Sequence, residues 1–150
     1  MKHALLIVTA VAFAAAAGGC AWLMSRYAPG YSVAEMVMNA DVIAKLVIKL
    51  VLLLTFGALL LGVIGLFARG AAAPVRMLLM LTAAASAGLG LFAALYGWMN
   101  IQTAVRAIGP VSFAAIAPSR AETLLVLSFG LFGAIVALGL RALIGRRGRA

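Results

Sequence analysis

Residues able to do chemistry are scarce in this chain, and their scarcity is informative. The acids are Glu35, Asp41 and Glu122; there is one histidine, His3, and one cysteine, Cys20. Paired-carboxylate catalysis needs two of the three acids to meet, and their flanks offer no nucleophile with a base at hydrogen-bonding spacing. A lone cysteine and a lone histidine make no internal disulfide and fall short of a metal site's usual ligand set. The residue types therefore point away from an enzyme, a metal centre or a bound cofactor. What remains is charge set in apolar sequence. Asp41 opens an apolar run that carries Lys45 and Lys49 near its start, and Glu122 stands beside Arg120 at the start of another. Such groups are costly in hydrocarbon unless solvated or paired. Either the lysines reach back to the near headgroups, or one of them faces a carboxylate on another helix, for which Glu122 is the expected partner.

The elements that carry these charges are membrane helices. The chain has 150 residues, 67% hydrophobic and 10% charged, a balance that places it among integral membrane proteins, and its apolar runs of helix-spanning length place it in the all-α polytopic bundle class. Its net charge of +9 sits at the ends of apolar runs without interleaved aromatics, so it reports topology and not a nucleic-acid partner. Spans are expected at about 42–68, 77–99 and 123–143. Residues 1–26 form a further transmembrane helix or a signal segment. Ala17-Gly18-Gly19-Cys20 loosely resembles a lipoprotein cleavage box, but the apolar run continues through Met24, and its spanning length favours a retained helix.

Between the spans, Tyr27–Gly30 reads as a turn. Ser32 and Glu35 stand at capping-box spacing, with Tyr31 and Met36 placed for a hydrophobic staple and Val33, Met36, Val37 and Ala40 on one face, so a short interfacial helix is expected there. Arg69–Arg76 reads as a basic, helix-breaking connection, and Ile101–Ala121 as a compact cap. Lys2, Arg69, Arg76, Arg141, Arg146, Arg147 and Arg149 outnumber Arg26, Arg106 and Arg120, which puts both termini in the cytoplasm, with four spans, or three if the first is removed. Trp22, Tyr96 and Trp98 read as interface anchors.

Two stripes of small residues mark helices built for close approach: Ala83, Ala87, Gly90, Ala94 and Gly97 on one span, and Thr123, Gly130, Gly133 and Ala137 on the next. The first stripe is expected to hold an oligomer together, so that Gly90→Leu would disrupt it. Ser128, Thr82 and Ser86 are each expected to bond back to a carbonyl of their own helix.

From about Gly88 onward the sequence resembles the last two helices of the MotA/TolQ/ExbB family of proton-channel subunits. GLFAALYGWMN, Gly90 to Asn100, is similar to the family's second membrane helix. AIAPSRAETLLVLSFGLFGAIVA, Ala115 to Ala137, is similar to the signature of its third, and Ala40-Asp41-Val42-Ile43-Ala44-Lys45 to the approach to its first. The resemblance spans residues 32–147 and is closest to the TolQ and ExbB branch. It implies a multi-pass protein of the bacterial inner membrane. It further implies a ring of identical subunits, five-fold in known members, around single-span ExbD/TolR-like partners whose aspartate carries protons that drive envelope transport. The resemblance places pore candidates at Glu122, which matches the family's glutamate, with Thr123 beside it. The family's pore threonines fall on Ala94 and Leu127, with Ser128 adjacent, and a common proline is Val136. The large cytoplasmic extension between the first two family helices is absent, with only Arg69–Arg76 in its place. The alternative is a non-conducting scaffold that keeps the packing signature. A small-solute transporter would need an inverted repeat or paired broken helices, and the sequence has neither.

Overall fold

The computed structural model describes residues 4–68 and 72–147; Lys2, Arg69 and Arg149, counted for topology above, lie outside the described residues. The chain is all-helical in its described residues: α1 (Ala4–Tyr27), α2 (Val33–Asn39), α3 (Val42–Phe67), α4 (Ala72–Ile108) and α5 (Phe113–Arg147). All but α2 are long and apolar enough to cross a membrane, and the protein is a multi-pass membrane bundle. The four long helices run up, down, up and down, so the start of α1 and the end of α5 meet: Leu6 packs on the cluster that holds Val75, Leu79, Ala83, Ala137 and Ile144.

α5 lies at the centre. It packs against α1, α3 and α4, whereas α3 otherwise meets only α4 closely. Phe13 of α1 stacks near Phe132 at 6.1 Å, and Cys20 and Leu23 join Ala117, Ala121 and Leu125 of α5 with Met36 of α2. Cys20, a free thiol, is a packing residue there, in the middle of an unbroken helix. The outer faces of α3 and α4 carry exposed leucines, phenylalanines and valines, the surface a lipid environment selects.

The expected cap over Ile101–Ala121 is replaced by helix. α4 continues to Ile108 and α5 begins at Phe113, leaving only a short turn. At about 1.5 Å per residue the 37 residues of α4 reach about 55 Å, well beyond a hydrocarbon core of about 30 Å. α4 stops where Gly109 takes φ +93°, its amide donating to the Val105 carbonyl at 3.0 Å, and Pro110 follows. Pro118 sits inside α5 without ending it, because the carbonyl it leaves unpaired belongs to Ala114, which is exposed to solvent. The expected break at Arg69–Arg76 is likewise shortened, since α4 is already formed at Ala72 and Pro74 occupies its first turn, where no amide is needed.

α2 carries the expected capping box. The Glu35 amide donates to Ser32 Oγ at 3.2 Å and the Ser32 amide donates to Glu35 Oε2 at 2.7 Å. Met36 and Ala40 are buried as the shared face requires, while Val33 is exposed and Tyr31 accepts a hydrogen bond from Asn39 through its hydroxyl.

Candidate functional site

The polar end of the bundle is built where α2 turns into α3. Ala40 and Asp41 are extended, with ψ 154° and 153°, and the Asp41 side chain makes no cap bond. Its backbone amide instead donates to Oε1 of Glu122 on α5, at 3.1 Å. The charges of Asp41 and of Lys45, one turn further along α3, both act on that carboxylate. Lys45 is half-buried and Lys49 is exposed, so of the two lysines it is Lys45 that enters the field of Glu122. The alternative pairing of Glu122 with Arg120 is not the one formed. Arg120 lies over the rings of Trp98 and Phe113, at 5.1 and 5.0 Å.

Glu122 is a wall of two clefts. One, of about 280 Å³, lies between α3, α4 and α5 and includes Asp41, Tyr96, Asn100, Ser119 and Thr123. The other, of about 330 Å³, lies under α2 and includes Tyr31, Met36, Asn39 and Pro118. A carboxylate with one oxygen tied to a backbone amide keeps acceptor capacity on the other, so this end of the molecule can hold a proton or a cation. Among the described residues no group of three metal-ligating side chains forms.

Below this end the two small-residue stripes meet each other. A Cβ on Gly97 would stand 2.8 Å from Thr123 Oγ1; one on Gly90 would stand 2.8 Å from Gly130 Cα, and one on Gly130 2.6 Å from Gly90 Cα. The close approach marked by the stripes is therefore between α4 and α5 of one chain, and Gly90 is occupied in that contact, not free for a neighbouring subunit. Ala83 and Ala94 are buried with it, Ala87 is half-buried, and Ala137 is fully buried on α5. Ala94 and Leu127 belong to this seam: Ala94 is buried between Gly90 and Gly97, and the Leu127 carbonyl lies beside Gly90.

Ser128 and Thr82 bond back as expected, Ser128 to the carbonyls of Leu124 and Leu125 at 2.9 and 2.8 Å and Thr82 to that of Leu78 at 2.9 Å. Ser86 does not. Its hydroxyl is fully buried without a hydrogen-bond partner, and it lies with Thr55 against Gly133: a Cβ there would meet Thr55 Oγ1 at 2.7 Å and Ser86 Oγ at 3.1 Å. The glycine hydrogen that stands in place of a side chain points at both oxygens, a weak C–H···O arrangement. This three-helix junction sits near the middle of α3 and of the apolar part of α5, and sequence reasoning missed it. The sequence marked Ser86 and Gly133 singly, and the further signal was Thr55, the lone uncharged polar side chain of α3. Comparison of the chain with protein-family models, with curated proteins and with solved structures finds no match in any of the three.

Proposed function

We propose that the chain is a TolQ/ExbB-like subunit of a bacterial inner-membrane complex, assembling with copies of itself and with an ExbD/TolR-like single-span partner to couple proton movement to envelope transport. The observation that carries this reading is the seat of Glu122. The residue that matches the family's glutamate is held by the amide of Asp41, from the segment similar to the approach to the family's first helix, and it opens on two clefts. By positive-inside counting these clefts face the periplasm.

A specific observation favours a second reading, the non-conducting scaffold. Ala94 and Leu127 offer no hydroxyl at the positions of the family threonines, and the seam around them is closed to backbone contact. Under the first reading this chain supplies a closely packed wall and the titrating group of the deeper membrane comes from the partner, because an apolar tube tends to dewet. In proteoliposomes the chain alone is expected to be proton-tight, with flux appearing when a single-span partner bearing an intramembrane aspartate is added and falling on Glu122→Gln. Flux from the chain alone that Ser128→Ala abolishes would overturn the wall assignment, and no flux with any such partner would leave the scaffold.

A further inference from the structure

Arg120 is a cation with aromatic walls and no acid. Its guanidinium lies 5.1 Å from the ring centroid of Trp98 on α4 and 5.0 Å from that of Phe113 on α5, within the range of cation–π attraction. Phe113 is itself held edge-on by Tyr27 at 5.2 Å, and Tyr27 by Trp22 at 6.0 Å, so the aromatic row ties α1, α5 and α4 together around the charge. The Nε atom is buried and has no hydrogen-bond partner. The carboxylates of Glu35 and Glu122 are engaged by Ser32 and by the Asp41 amide, and among the described residues no acid accepts a hydrogen bond from Arg120.

We infer that Arg120, Trp98 and Phe113 form a receptor for the phosphate of a phospholipid headgroup. The two rings hold the guanidinium in place, and its terminal N–H donors form a fork that matches two phosphate oxygens. The side chain leans toward the N-terminus of α5, and so toward the headgroups. Beneath Trp98, Leu95 and Leu91 follow on the same face of α4 and are more than half exposed, an apolar track for an acyl chain that a soluble anion would not use. The inference does not depend on whether protons move through the complex.

The test is native mass spectrometry of the full chain in detergent, titrated with phosphatidylglycerol and with a diacylglycerol of the same acyl chains. Phosphatidylglycerol is expected to bind about tenfold more tightly or better, the scale of a charge-assisted hydrogen bond. Arg120→Gln removes that preference, Arg120→Lys keeps part of it, and Arg106→Gln, at an exposed arginine of the same end, leaves it intact. Equal affinity for the two lipids, wild-type preference in Arg120→Gln, or displacement of the lipid by millimolar inorganic phosphate would each overturn the assignment. If Arg120→Gln does not retain its helical circular dichroism, Trp98→Leu serves instead. It removes one wall and is expected to weaken phosphatidylglycerol several-fold, and an unchanged affinity would again overturn the assignment.

Discussion

At Gly90 and Gly130 the backbones of α4 and α5 come so close that neither residue has room for one more carbon. A methyl at Gly130 would meet Gly90 Cα at 2.6 Å and the Ser86 carbonyl oxygen at 2.7 Å, and backbone atoms in a helix cannot swing aside as side-chain tips can. Gly130→Ala is therefore expected to destabilise the bundle by about 1–3 kcal/mol. Gly88→Ala, two residues from Gly90 but with nothing within 4 Å, is expected to be neutral or to gain up to about 1 kcal/mol from helix propensity. Unfolding in mixed micelles of increasing dodecyl sulfate measures both, and equal midpoints would refute the seam. The sequence made the stripes legible because the spacing of small residues survives any rotation of the helix. It could not say whose helix fills the gap, since the same spacing serves a neighbour in the chain or in another subunit. The charge at Glu122 divides in a similar way. A carboxylate near a lysine was expected, but only the fold distinguishes Lys45 from Lys49. Glu122→Gln combined with Lys45→Met should cost less than the sum of the two changes by about 0.5 kcal/mol or more, while the combination with Lys49→Met should be additive.

For the elements, local signals were read most faithfully where they are self-contained. The α2 capping box needs only Ser32 and Glu35, and both bonds form. The Glu35 carboxylate is held below the usual glutamate range, first by the Ser32 backbone amide and then by the Ser32 hydroxyl. A carboxylate whose folded value is depressed stabilises the fold above its unfolded value, about pH 4.3, and that contribution is lost as pH falls through the lower folded value. Amide exchange across Val33–Asn39 should accordingly quicken as the pH drops below about 4 relative to the intrinsic rate. Glu35→Gln should remove this pH dependence, whereas Ser32→Ala, which keeps the backbone amide, should remove only part of it while raising exchange at neutral pH; persistence of the full dependence in Glu35→Gln would show that the cap is not its source. The long helices were less legible at their ends. Apolar content locates the bilayer crossing, but hydrogen bonding along a helix does not stop where the hydrocarbon does, so α4 runs on until Gly109 supplies the left-handed turn and α5 tolerates Pro118 beside an exposed carbonyl. Ser119 consequently stands on a helix wall, facing a cleft with Tyr96 and Asn100, where the sequence suggested an irregular cap.

For the molecule as a whole, helix count and alternation follow from the distribution of apolar runs and basic residues, which is why the all-α multi-pass class could be read directly. The central place of α5 could not, because all four long helices are apolar around their circumference and none announces that it is surrounded. That central place orders the making of the protein. Synthesis proceeds from the amino end, so α1, α3 and α4 leave the ribosome before the helix against which each of them packs. Until α5 arrives, the thiol of Cys20, the Asp41 amide and the glycine face of α4 have no partner within the chain. A newly inserted chain thus has only the packing of α3 on α4 to hold it, and residues 113–147, the last described helix to be translated, complete the bundle.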